Sequence, residues 1–456
     1  MTSISLVGYS DKISLRSEET ISFKVSSTLK TPFIASLQRS ISADPNPKGI
    51  GIIEEDASKY FKTTSIKSRI QDFNPGSYAI TKKLLKIDIK KELCINIIIL
   101  PTLATSGKQT ILSFDNLELY IDSNRRTNLC IDKEQLSIKE PLLLNSWYEL
   151  EIKFFINGKI TISQKPIKDK HQKKSTNKAK FNFKKNFKGK LSLSALVLKQ
   201  KGFNHYNGKI ESPTIKADGK KVFECNLSKN TNFSFVKSTI GPVLLLKNFP
   251  TRAVTSSKWD GSEMNWQHKP EHYSAIHFHN DDIYDFEWDT DFKFKIPNNM
   301  PSGIYVMKIK GGGHEDAIPF FVAPKIKKIK SKICVLISTF TYSIYGNHAR
   351  VDFDESWLNR IKEWGGYPYN PVKFKEYGLS TYNYHSDGAG ICHASHRRPL
   401  FNLRPGYLTF GNSNAPCSGL RHFQADSHLI SWLHNKKLDY EIVTDEQLHE
   451  DGYKAI

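Results

Sequence analysis

The sequence predicts a multidomain β protein followed by an α/β region, and three observations carry that expectation. Short windows of alternating apolar and polar residues recur through residues 1–327, as half-buried strands require. Turn signals separate them, at Asn157-Gly158, Asn207-Gly208 and Asp218-Gly219. Beyond residue 330 the pattern changes to a continuous apolar run and then to helical spacing. At 456 residues the chain is too long for one ordinary core, so two or three domains are expected.

The strands come first. Ile21-Ser-Phe-Lys-Val25, Leu117-Glu-Leu-Tyr-Ile121 and Tyr148-Glu-Leu-Glu-Ile-Lys-Phe154 all alternate, and few windows before residue 330 hold a helical period. Trp147-Tyr-Glu-Leu-Glu-Ile followed by Phe155-Ile-Asn-Gly-Lys-Ile160, an extended strand, an Asn-Gly turn and a returning strand, resembles a hairpin of the laminin-G/concanavalin-like jelly roll. That unit is expected over residues 87–232. The flanking segments, 1–86 and 233–327, are expected to pair into a β-sandwich, which makes the jelly roll an insertion. Gly303-Ile-Tyr-Val-Met-Lys-Ile309 and Ile318-Pro-Phe-Phe-Val322 predict a hairpin around Gly311-Gly312-Gly313. The triple glycine joins two strands and opens no helix, so it is not read as a phosphate loop.

Pro324-Lys-Ile-Lys-Lys-Ile-Lys330 is a basic linker. Ile333-Cys-Val-Leu-Ile337 then predicts a strand buried on both faces. Residues 355–364 space apolar side chains helically, and Gly365-Gly366 stops the helix. A second helix is expected over 420–435 and a strand at Tyr440-Glu-Ile-Val-Thr444. Strand, helix, helix, strand predicts a parallel-sheet α/β domain over 328–456. Two parallel strands do not bury themselves, so this domain is expected to be incomplete, truncated at its C-terminus.

Composition excludes several classes. With 39% hydrophobic and 12% aromatic residues the chain is not disordered. No run of about 18 apolar residues occurs, so no membrane helix is expected. The N-terminal Met-Thr-Ser-Ile-Ser-Leu has no signal-peptide pattern, and a cytoplasmic location is expected. The net charge of +20 owes much to the lysine-rich segment 165–190, read as a solvated loop and strand face, with no nucleic-acid partner. The cysteines at 94, 130, 225, 334, 392 and 417 form no CxxC pair, and reduced thiols are the default.

Two tyrosine-rich segments stand out. Gly378-Leu-Ser-Thr-Tyr-Asn-Tyr-His-Ser-Asp-Gly388 packs two phenols, an imidazole and a carboxylate into a loop, and Thr341-Tyr-Ser-Ile-Tyr-Gly-Asn-His348 repeats the character. Sites in parallel sheets form at strand carboxyl ends, which is where the loop bearing Tyr342, Tyr345 and His348 falls. Oxygen-rich ligands suit a hard metal, and tyrosine is a known iron ligand. The alternative from residue types alone is a packing role for each ring.

From Leu379 through Arg397-Arg-Pro-Leu-Phe-Asn-Leu-Arg-Pro405 to Tyr440-Glu-Ile-Val-Thr-Asp-Glu-Gln-Leu-His449, the chain resembles the large (beta) subunit of N,N-dimethylformamidase. Asn248-Phe-Pro-Thr-Arg-Ala-Val-Thr255, Glu271-His-Tyr-Ser-Ala-Ile-His-Phe-His-Asn-Asp-Asp282, Gly303-Ile-Tyr and Glu315-Asp-Ala-Ile-Pro-Phe-Phe-Val322 resemble the same family. The resemblance implies a mononuclear ferric iron held by two tyrosines and a glutamate, hydrolysing a small formamide or amide to carboxylate and amine. By position it implies Tyr345 and Tyr382 as metal ligands, with Tyr342 and Tyr384 as the fallback pair. The glutamate would lie beyond Ile456, so this chain by itself would be inactive. His385 and Asp387 are the expected catalytic residues, relaying protons or orienting groups. A small partner subunit and oligomerisation are implied as well.

Three further patterns are weighed. Gly390-Ile-Cys392-His-Ala394 has the small flanks of a nucleophile elbow, the basis of a thiol amidase alternative, but its surroundings read as loop. The lectin-like β unit raises glycan binding as a second alternative. His277-Phe-His279-Asn-Asp281-Asp282 sets two imidazoles on one strand face, geometry that suits metal ligands, although a structural role between domains is expected.

Overall fold

Alternation in the first 330 residues produces sheets, and the sheets sort into two units. A computed structural model describes residues 4–456 apart from 170, 229–230, 327–328, 410, 414 and 416. Parts of the predicted linker (Lys327, Lys328) and of the lysine-rich segment (Lys170) therefore lie outside the described residues. One unit comprises Met1–Phe73, Tyr284–Tyr384 and Gly390–Ile456; the other comprises Asn74–Ile283 and His385–Ala389. No helix among the described residues is long and apolar enough to cross a membrane.

The second unit is a sandwich of two antiparallel sheets around a single apolar core. One sheet runs Glu134–Ser137, Thr127–Ile131, Leu117–Ile121, Gln109–Phe114, Leu191–Leu193, Tyr78–Thr81, Leu244–Lys247 and Phe235–Val236. The other runs Ser175–Lys180, Lys159–Ile167, Trp147–Phe155, Glu92–Pro101, Gly208–Ala217, Ala275–Phe278 and Thr251–Val254, with Lys220–Glu224 beside Gly208–Ala217. Strand Trp147–Phe155 shows why: Tyr148, Leu150, Ile152 and Phe154 point into the core, while the residues between them are part-exposed. The predicted hairpin through Asn157-Gly158 is present, with Tyr148 opposite Pro166 and Phe154 opposite Ile160.

The expected boundaries at 86 and 232 do not match this pairing. Tyr78–Thr81 lies between Leu191–Leu193 and Leu244–Lys247, and Ala275–Phe278 pairs with Gly208–Ala217. Residues from 74 to 86 and from 233 to 283 therefore complete the inserted unit's sheets. Short strands such as these carry too little pattern to reveal which sheet they join. Asn207-Gly208 is likewise no hairpin turn, since Gly208 begins a strand.

The first unit holds a three-stranded sheet, Leu6–Ser10, Thr20–Ser27 and Phe292–Lys295. It also holds a six-stranded sheet built from Ser14–Arg16, His314–Ala323, Gly303–Gly311, Phe33–Ala43 and Ile52–Asp56, with Thr64–Ile66 beside Phe33–Ala43. The predicted glycine hairpin is here, Gly303 opposite Val322 and Gly311 opposite His314. Leu6, Phe23, Leu37, Met307 and Phe320 meet in its core.

Cys334–Ile337 and Glu441–Thr444 pair in parallel, Val335 opposite Ile442. Among the described residues four α-helices accompany them: α1 (Thr339–Ile344), α2 (Glu355–Trp364), α3 (Phe423–Asn435) and α4 (Asp445–Asp451). Helix α2 has the predicted limits. Asp354 caps it through the Ser356 N–H, and Gly365 ends it at φ 62°. Helix α3 starts three residues later than expected, and α1 occupies what reads in the sequence as a loop. The strand expected to be buried on both faces is buried on one, since Leu336 is 47% exposed. Nor does position 328 begin a separate body. Val335, Ile337, Tyr342, Phe423 and Ile442 pack with Ile13, Ala43, Ile304 and Phe321 of the six-stranded sheet region, covering the buried face of the parallel pair.

Candidate functional site

The tyrosine segments fold toward one another within the first unit. Helix α1 follows directly from Cys334–Ile337, and its last carbonyls fix the next turn: the Tyr345 N–H donates to Thr341 O at 3.0 Å. Thr381 donates from both its N–H and its hydroxyl to Ile344 O, at 3.2 and 3.1 Å. Asn383 exchanges two hydrogen bonds with the Ala349 backbone, at 3.1 and 2.7 Å. Tyr382 is thereby set against Tyr345. Their rings stack at 4.2 Å between centroids and 12° between planes. A hydrogen bond from the Tyr382 hydroxyl to Tyr345, together with the Tyr345 charge, raises the Tyr382 pKa.

Two cationic or ring-bearing neighbours close the setting. The Arg421 guanidinium sits 4.4 Å from the Tyr345 ring centroid, and the His422 ring 4.6 Å from it. The pocket beside Tyr345 is also lined by His348, Asn402, Tyr407 and Thr409. Burial, then the Arg421 charge, pushes the His422 pKa down to about 4; the same causes lower His348. His422 holds φ 53°, a left-handed backbone that a residue with a Cβ adopts at some cost, and such strain clusters at functional sites.

The fallback tyrosines have other settings. Tyr342 is buried at 1% exposure and its hydroxyl donates to Asp426, so it serves the core. Tyr384 is 69% exposed. Arg398 is a determinant that sequence reading missed. It is buried and donates to the carbonyls of Ser395, Tyr377, Gly346 and Leu379, at 3.2, 3.0, 3.3 and 2.9 Å. It ties the loop after Tyr345 to the loop before Tyr382; burial lowers its pKa to about 10. Nothing in Arg397-Arg-Pro marks the second arginine as buried, since three of its four carbonyl partners lie 19 to 52 positions away.

His385 and Asp387 find their partners in the second unit. His385 Nδ1 lies 2.7 Å from Asp281 Oδ1, and its ring stacks on His279 at 3.8 Å. The Thr102 hydroxyl donates to Asp387 Oδ2 at 2.6 Å, and His277 Nε2 lies 3.0 Å from the same oxygen. Burial opposes ionisation of Asp387, but the bonds from His277 and Thr102 outweigh it and hold the carboxyl well below its usual range. Burial pushes His277 down to about 4. At His385 burial acts downward, yet the Asp281 bond and neighbouring carboxylates raise it. His277, His279 and Asp387, and likewise His279, Asp282 and His385, bring ligand atoms within 4.8 Å of one another. This cluster lies inside one unit, not between the domains expected from sequence.

Cys392 is exposed on irregular backbone, its Sγ 3.5 Å from Gly390 O, without the preceding strand and following helix that an elbow needs.

Residues 251–456 match the family described as N,N-dimethylformamidase beta subunit-like, C-terminal. The chain is 28% identical over 522 residues to the N,N-dimethylformamidase beta subunit of Paracoccus aminophilus, covering 99% of this chain and 66% of that one. It is 28% identical over 526 residues to the beta subunit of an Alcaligenes species, covering 100% and 67%. The chain thus spans about two thirds of the length of these relatives. A SAP-like pentraxin from Limulus polyphemus overlays 32% of this chain and 73% of its own at 12% identity, with a TM-score of 0.23. By the C-terminal match and the end-to-end similarity, this chain resembles the N,N-dimethylformamidase beta subunits.

Proposed function

We propose that the chain carries the metal-binding face of an amide hydrolase, acting on a small amide of the formamide kind and releasing carboxylate and amine. The observation that supports this most is the Tyr345–Tyr382 pair, with phenol oxygens in hydrogen-bonding contact beside an arginine. The donor set fits a hard trivalent ion such as ferric iron. Two adjacent phenol oxygens offer anionic ligands, and the Arg421 charge acts to favour the ionised form of Tyr382. Tyr345 and Tyr382 would hold the iron. When bound, it supplies a Lewis acid that acidifies water and polarises a carbonyl.

The chain's own groups divide the remaining work. Arg421, over the Tyr345 ring, stabilises negative charge on the Tyr382 phenol. His422 and His348, held below the ordinary imidazole range by burial, stay unprotonated at neutral pH and present uncharged ring nitrogens to the pocket. Asn402 and Thr409 line the pocket as hydrogen-bonding groups for a small polar substrate. His385 and Asp387 are already committed to Asp281, His277 and Thr102, so the proposal rests on the tyrosines. A partner subunit, as the relatives' description as beta subunits suggests, belongs to the same proposal.

Ferric titration of the purified chain tests it. Phenolate-to-iron charge transfer should colour the wild type, weaken in Y345F and vanish in Y345F/Y382F. Identical spectra for wild type and the double variant would overturn the assignment.

A further inference from the structure

We propose that His277 Nε2, His279 Nε2 and Asp387 Oδ2 form a second metal site, for a divalent transition cation of the zinc class. The inference is independent of the tyrosine pair. His277 lies in the strand Ala275–Phe278 and His279 follows directly after it, and their rings sit 4.0 Å apart between centroids. The segment His385–Ala389 brings Asp387 to these rings within the same unit.

The His279 ring carries the argument. It is fully buried, and its Nε2 has no hydrogen-bond partner. Its other nitrogen is engaged: Nδ1 lies 3.2 Å from Asp282 Oδ2. Asp282 Oδ2 is itself anchored by the Ser77 hydroxyl at 2.5 Å and the His279 N–H at 3.1 Å. A metal-binding histidine typically donates its far N–H to a carboxylate, which leaves the near nitrogen as a bare lone pair. His279 has that arrangement, and its bare Nε2 lies 3.7 Å from Asp387 Oδ2.

The spacing suits a small cation. Ligands at about 2.0–2.2 Å around a tetrahedral zinc stand about 3.3 Å apart. Asp387 Oδ2 lies 3.0 Å from His277 Nε2 and 3.7 Å from His279 Nε2, values that bracket that edge. Two imidazoles and a carboxylate suit zinc, cobalt or ferrous iron better than calcium or magnesium, which prefer all-oxygen sites. The side chains of His277, His279 and Asp387 are 9%, 1% and 1% exposed, so the donors are already desolvated and held. Asp281, Asp282 and Asp387 supply negative charge, against His385 and Lys209; the Lys209 ammonium donates to the Thr255 hydroxyl at 2.7 Å. Bound there, a cation would fasten residues 385–389 to the strand that ends at Phe278.

The test uses Co²⁺ as probe on the chelator-stripped full chain, in the Y345F/Y382F background so that the tyrosines cannot compete. One equivalent should bind with visible d–d absorption, and Zn²⁺ should displace it and raise the Tm. H279Q, H277Q and D387N each remove one donor and should weaken Co²⁺ binding at least tenfold. Should one variant fail to fold by circular dichroism, the other two decide. A parent chain that shows neither d–d bands nor a Zn²⁺-dependent Tm shift overturns the proposal, as do folded variants that bind Co²⁺ with unchanged affinity.

Discussion

Replacing Asp316 with alanine should unfold much of the first unit's stability, and the structure sets the size of the effect. Asp316 is buried in the strand His314–Ala323. It accepts from Arg404 Nε at 2.8 Å and Nη2 at 3.0 Å, from the Gly8 N–H at 2.9 Å and from the Tyr367 hydroxyl at 3.1 Å. Both partners of the ion pair are nearly inaccessible, at 0% and 3% side-chain exposure. Removing the acid leaves the guanidinium buried, with Gly8 O as a remaining acceptor at 2.6 Å. Breaking one side of a buried pair costs about 3–5 kcal/mol. The orphaned Gly8 N–H and Tyr367 hydroxyl push the D316A variant to the top of that range. A doubly apolar variant, D316L/R404M, should recover most of the loss, because no charge is then left unpaired. Hydrogen exchange of Gly303–Gly311 amides under urea reports the first unit by itself, and a double-mutant cycle isolates the coupling. A D316A variant within about 1 kcal/mol of wild type would refute the reasoning.

Other expectations follow from the same kind of accounting. R398K should cost about 2–4 kcal/mol and blur the tyrosine site, because one ammonium cannot serve four carbonyls in a plane; circular dichroism melts and the ferric titration both read it. G208A should cost about 3 kcal/mol in the second unit, since at φ 148° a Cβ would lie 2.3 Å from Leu100 O and 2.5 Å from the Tyr206 hydroxyl oxygen. Burial lowers the His205 pKa, so the unfolded chain binds a proton that the folded one resists. Stability of the second unit should therefore be unaffected above the ordinary histidine range and fall as pH drops below about 6.5. H205Q should flatten that slope in urea titrations run across pH, while an unchanged slope would place the proton uptake elsewhere.

Local chemistry made much of this molecule legible. Strict alternation in Trp147–Phe155 demands one wet face and one dry face, and the strand has both. Asp354 and Gly365 bracket helix α2 because a side-chain acceptor satisfies its first N–H groups and a residue without a Cβ tolerates the final left-handed turn. Tyr345 and Tyr382 were legible as candidates because two phenol-rich segments are unusual in loops. Their stacking was decided only by tertiary structure, through Thr381, Asn383 and Arg398, whose partners lie tens of positions away. The same holds for the sheet membership of Tyr78–Thr81 and for the pairing of His385 with Asp281. Periodicity and capping are properties of neighbours along the chain, so sequence determines them by itself. Which strand completes which sheet, and which carboxylate meets a buried imidazole, depends on competition among distant segments for the same buried surface.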